Sequence, residues 1–315
     1  MRSGRRRTVP DLWEVLLMEI RVLKYFLAVA RHENISRAAD ELNLTQPTLS
    51  RQIGDLEEEL GSALLVRGKR KTILTEAGLF LKARAEEIVA LERKTAEEFA
   101  HAERMVAGDV YIGCGETEAM RGLVCAMTSL HKSHPNIHVH LVSGNEEQSI
   151  DQLQKGLVDF SLLCRSTPPL EYIYRKLPHE DVWGLYLHRD SPLAAQESID
   201  AKDLLGEPLI VSRQAMQSKE FDNWLGRSAE GLNVVATYNL VYNAVFLVEQ
   251  GWGSVLSFAG LIPLGSAQRQ NVVFRPLAPK LKSGNYLVCK KGQVFSRAGR
   301  LVLSCLDAAF AREAV

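Results

Sequence analysis

At 315 residues the chain is longer than one hydrophobic core usually serves and predicts two or three domains. Apolar residues make up 46% and charged residues 24%, and 38 Lys+Arg balance 38 Asp+Glu, as in an ordinary soluble protein. The zero net charge excludes global basicity, and no run approaches the ~20 apolar residues of a membrane helix. Local charge is segregated instead. Arg67, Lys69, Arg70 and Lys71 cluster together, while Asp55, Glu57, Glu58 and Glu59 crowd a stretch just before them. Only the field at a contact surface governs binding to nucleic acid.

Residues 1–17 (MRSGRRRTVPDLWEVLL) read as an N-terminal extension. Arg5, Arg6 and Arg7 could begin a signal peptide, but no sufficient apolar run or cleavage site follows. A basic arm for a minor groove is the other use of such a segment. From Ile20 to Arg31 the apolar set Val22, Leu23, Phe26, Leu27, Val29 and Ala30 predicts a first helix. In NISRAADELNLTQPTLSRQIGDLEEELG, two short helical patterns flank a tight connection. Ile35, Ala38, Ala39 and Leu42 form one buried face behind an Asn34 cap. Leu49, Ile53, Leu56 and Leu60 form the next, with Thr45 as cap, Pro47 in the first turn and Gly61 as stop. That is a helix-turn-helix, whose second helix presents Gln46, Thr48, Ser50 and Arg51 to a major groove. The following SALLVRGKRKTILTEAG predicts a β-hairpin wing with a basic tip suited to phosphates. The candidate DNA-contact set is Asn34, Ser36, Arg37, Thr45, Gln46, Pro47, Thr48, Ser50, Arg51, Arg67, Lys69 and Arg70. Within it Gln46, Ser50 and Arg51 are expected to read bases, and Arg67 and Lys69 to contact phosphates.

The run AVARHENISRAADELNLTQPTLSRQIGDLEEELGSALLVR followed by LTEAG resembles the N-terminal domain of the LysR-type transcriptional regulators. The domain like that of the family spans 18–75. The resemblance implies a winged helix-turn-helix, a linker helix through which two copies dimerise, and a two-lobed α/β effector domain of the periplasmic-binding-protein type.

From Thr75 a helical pattern runs to about Met105, and 76–107 is assigned to the linker helix. Leu81, Ala85, Ile88, Leu91, Thr95 and Phe99 make a stripe too long for a small domain to bury, and its simplest partner is a second copy. Interleaved glutamates, arginines and a lysine keep the other faces wet.

Gly108 breaks that helix, and strands then alternate with helices over 109–315, as in a parallel α/β sheet. IGCGET, SHPNIHV, LQKGLVDFSLL and LVEQGWGSVL carry the weaker resemblance to the family's effector domain. Lobe one is expected to comprise 109–178 and 284–315 and lobe two 179–283. Ligands of open α/β sheets bind where strands end and helix N–H groups are free. That rule selects Gly115, Glu116, Thr117, Asn145, Glu146, Cys164 and Arg165 from lobe one. It selects Ser212, Arg213 and Gln214 from lobe two, with Tyr242 and Phe258 as walls. Thr117 matches a hydroxyl residue that commonly closes the family's first strand, whereas Glu146 departs from the usual Thr or Ser. Two acids at the mouth, Glu116 and Glu146, disfavour a bare carboxylate ligand, although Arg165 and Arg213 could offset them.

The five cysteines, Cys114, Cys125, Cys164, Cys289 and Cys305, show neither CxxC nor metal spacing and read as reduced thiols of a cytosolic protein. Cys114 and Cys164 end strands expected to be neighbours, which keeps a thiol-based redox sensor open as the alternative. The dense HKSHPNIHVH does not converge on one metal. No phosphate loop, GxSxG or HExxH argues for an enzyme, and a transport-type binding protein would need a signal peptide. The expectation is a cytoplasmic regulator without metal or cofactor, answering to a small-molecule co-inducer. The resemblance implies a homodimer or homotetramer on a pseudo-palindromic double-stranded operator, with RNA polymerase a further candidate partner.

Overall fold

A computed structural model of the chain describes residues 18–68, 71–100, 107–216, 218–265 and 269–310. The extension over 1–17 and the wing residues Lys69 and Arg70 lie outside them, as do the side chains of Arg67 and Phe99. The chain divides into two compact units, Met1–Ala96 and Glu97–Val315.

In the first unit, α1 (Ile20–His32), α2 (Ile35–Glu41) and α3 (Gln46–Glu59) precede a hairpin of β1 (Leu65–Arg67) and β2 (Thr72–Leu74), and α4 spans Glu76–Ala100. The caps read from sequence are in place. Asn34 Oδ1 accepts from the Arg37 N–H at 3.0 Å, and Thr45 Oγ1 from the Thr48 N–H at 3.4 Å. Gly61, at φ +62°, takes the chain out of α3 in the left-handed conformation that glycine adopts without strain. Leu23, Phe26, Leu49, Ile53 and Leu56 are buried together around Ala38 and Ala39. Each large side chain contributes about 1.5–3 kcal/mol on leaving water.

The wing is stitched to the helices by polar contacts. Glu57, one of the acids clustered before the wing, accepts from the Leu64 and Leu65 N–H groups at 2.7 and 3.0 Å. The Thr72 N–H donates to the Glu33 carbonyl at 2.8 Å, and Lys71 pairs with the Glu33 carboxylate at 2.6 Å. Thr75 Oγ1 donates to the Ala63 carbonyl at 2.7 Å and accepts from the Gly78 N–H at 3.0 Å. Gly78 permits this approach, because a Cβ there would stand 2.1 Å from the Leu64 carbonyl oxygen.

The linker stripe needs correction. Leu81 and Ala85 are buried in the unit's own core, with Val89 packed against it, and are unavailable to a partner. A residue and its successor stand about 100° apart on a helix. The 81/85/89 row therefore faces inward while Phe80, Ile88, Leu91 and Thr95 lie on the next row round, and all four are exposed.

In the second unit, lobe one places β3 (Gly108–Cys114), α5 (Ala119–Ser133), β4 (Ile137–Ser143), α6 (Glu146–Gln154) and β5 (Phe160–Arg165) before the long β6 (Ile173–His188). Lobe two adds β7 (Ile199–Asp200), β8 (Leu209–Ser212), α7 (Arg213–Met216), α8 (Lys219–Leu225), β9 (Val234–Tyr238), α9 (Val241–Glu249), β10 (Ser254–Phe258) and β11 (Val272–Ala278). The chain returns through β12 (Lys282–Cys289) to α10 (Arg297–Phe310). The strand order is β4-β3-β5-β12-β6-β10-β8-β9, with β11 against β6 and β7. β3 pairs in parallel with β4 and β5, and β8 with β9 and β10, whereas β6 and β12 are antiparallel to their neighbours.

β6 belongs to both lobes. Ile173 to Val182 pair with β12, and Trp183 onward with β10 and β11. The β6–β12 register slips between Gly284 and Asn285, opposite Pro178 and His179. The structure thus carries both lobe crossings on one antiparallel strand pair.

Candidate nucleic-acid and ligand sites

The exposed end of α3 is the candidate nucleic-acid surface. Gln46, Pro47 and Thr48 are exposed in its first turn, and the Arg51 side chain is 83% exposed, with Asp55 at 3.9 Å. A pair so open and so long contributes little, so the guanidinium is available. Ser50 is half-buried. The Thr48 hydroxyl lies 2.8 Å from that of Thr45, which joins it to the cap. Ser36 and Arg37 are exposed in the first turn of α2, and Asn34 is spent on capping it.

On α4 the exposed row contains Phe80 at 68%, Ile88 at 36% and Leu91 at 43% exposure, and the Arg84 guanidinium lies 5.7 Å from the centre of the Phe80 ring. Phe80, adjacent to the buried Leu81, was hidden in the sequence by the choice of the neighbouring stripe.

Between the lobes of the second unit lies a cavity of about 1160 Å³. Of the expected residues, Gly115, Glu116, Asn145, Glu146, Cys164, Arg165, Ser212, Arg213, Gln214 and Phe258 line it. Two do not. Tyr242 is 54% exposed beside Phe246, its ring 4.9 Å from the Arg269 guanidinium. Thr117 is buried in a polar knot at the lobe crossing. Its hydroxyl lies 2.6 Å from Asp181 Oδ2 and 3.1 Å from Asn285 Oδ1 and accepts from the Ala119 N–H at 3.0 Å. Asn285 Nδ2 also donates to Asp181, at 2.8 Å, and His179 Nε2 lies 3.2 Å from its other oxygen. Nothing local to Thr117 signals this knot, because Asp181 arrives from β6. Trp183, Lys219, Tyr238 and Ser257 line the cavity unpredicted. Trp183 and Phe258 meet edge-to-face at 4.5 Å.

Glutamates bridge the lobes. Glu116 accepts from the Val241 N–H at the start of α9, Gln214 Nε2 donates to Glu146 at 3.0 Å, and the Ser166 N–H donates to Glu220 at 3.1 Å. Arg165, named with Arg213 as an offset to the acids at the mouth, is held by Glu146 at 2.6 Å and Glu171 at 3.1 Å. Burial pushes the Glu116 carboxyl up, against the opposing pull of the Val241 and Tyr242 N–H groups.

The thiols do not pair. Cys114 stands opposite Leu162 in the β3–β5 register, so Cys164 lies two residues on, with an expected Cα separation of about 8 Å. A disulfide needs less than about 7 Å. Cys164 Sγ donates instead to Asn285 at 3.1 Å, and burial followed by the charge of Asp181 raises its thiol well above the ordinary range. Cys114 is raised by burial. Neither is an activated thiolate.

A family model described as LysR substrate binding domain matches residues 103–311, and one described as bacterial regulatory helix-turn-helix protein, lysR family, matches 20–79. The hydrogen peroxide-inducible genes activator of Pectobacterium carotovorum subsp. carotovorum is 34% identical over 195 residues, 62% of this chain. The chain spans 64% of that relative's length. The uncharacterized HTH-type transcriptional regulator YvbU of Bacillus subtilis is 26% identical over 301 residues, 94% of this chain and all of that protein. The solved structure of full-length CbnR complexed with its target DNA shares the fold with a TM-score of 0.72 at 20% identity, covering 94% of this chain and 99% of that one.

Proposed function

The chain belongs to the LysR family of bacterial helix-turn-helix regulators, and on that premise we propose that it is a sequence-specific DNA-binding transcriptional regulator controlled by a small molecule between its lobes. The observation that carries this reading is the open first turn of α3, capped by Thr45 and offering Gln46 and Arg51 to a groove. The exposed row of α4 pairs two copies, and two recognition helices then address a pseudo-palindromic operator. A tetramer built from such dimers, and contact with RNA polymerase at the promoter, belong to the same reading. No helix among the described residues is long and apolar enough to cross a membrane, and the work assigned to the protein is cytoplasmic. It catalyses no reaction in this account and carries no metal or cofactor.

The relative named as an activator of hydrogen peroxide-inducible genes raises a second reading, a thiol sensor on the same scaffold. Cys114 and Cys164 weigh against it, since both are raised in pKa and out of bonding register. The sequence has no cysteine between Cys164 and Cys289, which leaves lobe two without a resolving thiol. The metabolite reading therefore stands. The test is selection of duplexes from a random library by the full chain, repeated with and without a metabolite pool. A defined half-site whose affinity or footprint shifts about 5–150-fold with the pool is expected. No enriched sequence would refute a specific regulator, and a response to peroxide that survives only with Cys114 and Cys164 intact would favour the thiol.

A further inference from the structure

We propose that the cleft selects a ligand bearing a cationic nitrogen, an organic ammonium or guanidinium, over the matching carboxylate. This rests on the reading of the cleft as the effector site. The less exposed groups that would hold an anion there, Arg165 and the first amides of α9, are already engaged by the chain's own carboxylates. Glu116 sits on the N-terminal amides of α9, and Glu146 and Glu171 share Arg165. A carboxylate ligand would have to displace one of these and meet the others as like charges.

The same acids have capacity for a donor. A carboxylate offers about four lone-pair positions, and the two α9 amides engage only part of those on Glu116. Its raised pKa, set first by burial, marks a desolvated charge that a cation would stabilise. Nearby groups register the same field. Cys164 is raised by burial and then by Asp181, with Glu146 a lesser contributor. Tyr186, pushed up to about 12 mainly by burial, also feels Glu118 and Glu116, and Tyr238 is raised by burial and further by Glu116. Among the described residues five carboxylates line the cavity against three cations.

Two of those cations, Arg213 and Lys219, are exposed on lobe two, where water and salt screen them. Glu116 and Glu146 are half-buried, and a charge interaction there is several-fold stronger than one in bulk water. The inner acids therefore set the preference. Trp183, Tyr238 and Phe258 supply ring faces and edges for the apolar part of the ligand and for its charge.

The test uses the full chain at pH 7.5 and pairs of probes on one skeleton, phenethylamine against 3-phenylpropionate and hexylamine against heptanoate, within a wider panel of metabolites. Thermal shift and calorimetry should show the cationic members binding at least about tenfold more tightly. Glu146→Gln and Glu116→Gln, which keep an acceptor oxygen, should each shrink that preference about tenfold or more. Tighter or equal binding of the anionic members would overturn the ligand class and leave the cleft as the effector site. A panel in which no compound of any charge binds would instead overturn the cleft reading itself.

Discussion

Thr117 and Glu116 are adjacent in sequence, yet one is locked into the lobe crossing and the other reaches into the opposite lobe. Replacing Thr117 by Val leaves Asp181 and Asn285 short of a buried partner, an expected loss of about 1–3 kcal/mol in the stability of the second unit. Denaturant unfolding of the variant would measure it, and an unchanged midpoint would contradict the knot. For Glu116 the sign runs the other way. Burial raises its pKa in the fold above that of a solvated carboxyl, near 4.5, so its contribution to stability is fully present below that pH and declines as pH rises through the folded value. Glu116→Gln removes the desolvated charge and keeps the acceptor for the Val241 N–H. Its melting temperature should match or exceed wild type at pH 7 and converge with it near pH 4. A variant less stable than wild type at pH 7 would show the charge itself to be needed. The local capping roles of Asn34 and Thr45 were legible in the sequence because their partners lie three residues away. The role of Thr117 was not, because Asp181 is 64 residues distant.

α4 carries two apolar rows one residue apart, and a linear reading merged them. Periodicity reports that a helix has an apolar face, but the partner of each row is fixed by tertiary packing. Leu81→Glu should therefore unfold the first unit, since it buries an unpaired charge. Glutamate at both Ile88 and Leu91 should leave that unit folded and lower the mass of the assembly. Light scattering with circular dichroism separates these outcomes; wild-type mass for the Ile88 and Leu91 double variant would rule out the exposed row as the contact. Gly78→Ala drives a Cβ into the Leu64 carbonyl, and an overpacking cost of about 1–3 kcal/mol is expected from thermal unfolding. The LTEAG sequence showed this glycine, but only the close approach of α4 to the wing gives the reason for it. Likewise the strand pattern led to an expectation of two lobe crossings, but the continuity of β6 depends on long-range pairing with β12, β10 and β11.

At the scale of the whole molecule, a helix-turn-helix unit shares one chain with a two-lobed unit whose lobes are bridged by carboxylates. The family matches cover both parts of the chain, and the open face of α3 is where specificity would reside. The most direct measurement is the affinity of the full chain for a selected operator and for random DNA across a series of salt concentrations, with Arg51→Ala alongside wild type. The account predicts operator binding at least about 1,000-fold tighter than random binding, and a steep fall in affinity with salt. It predicts a loss of about 1–3 kcal/mol on the operator for Arg51→Ala, with little change on random DNA. Equal wild-type affinity for the two DNAs, or an Arg51→Ala variant that loses as much on random DNA as on the operator, would contradict it.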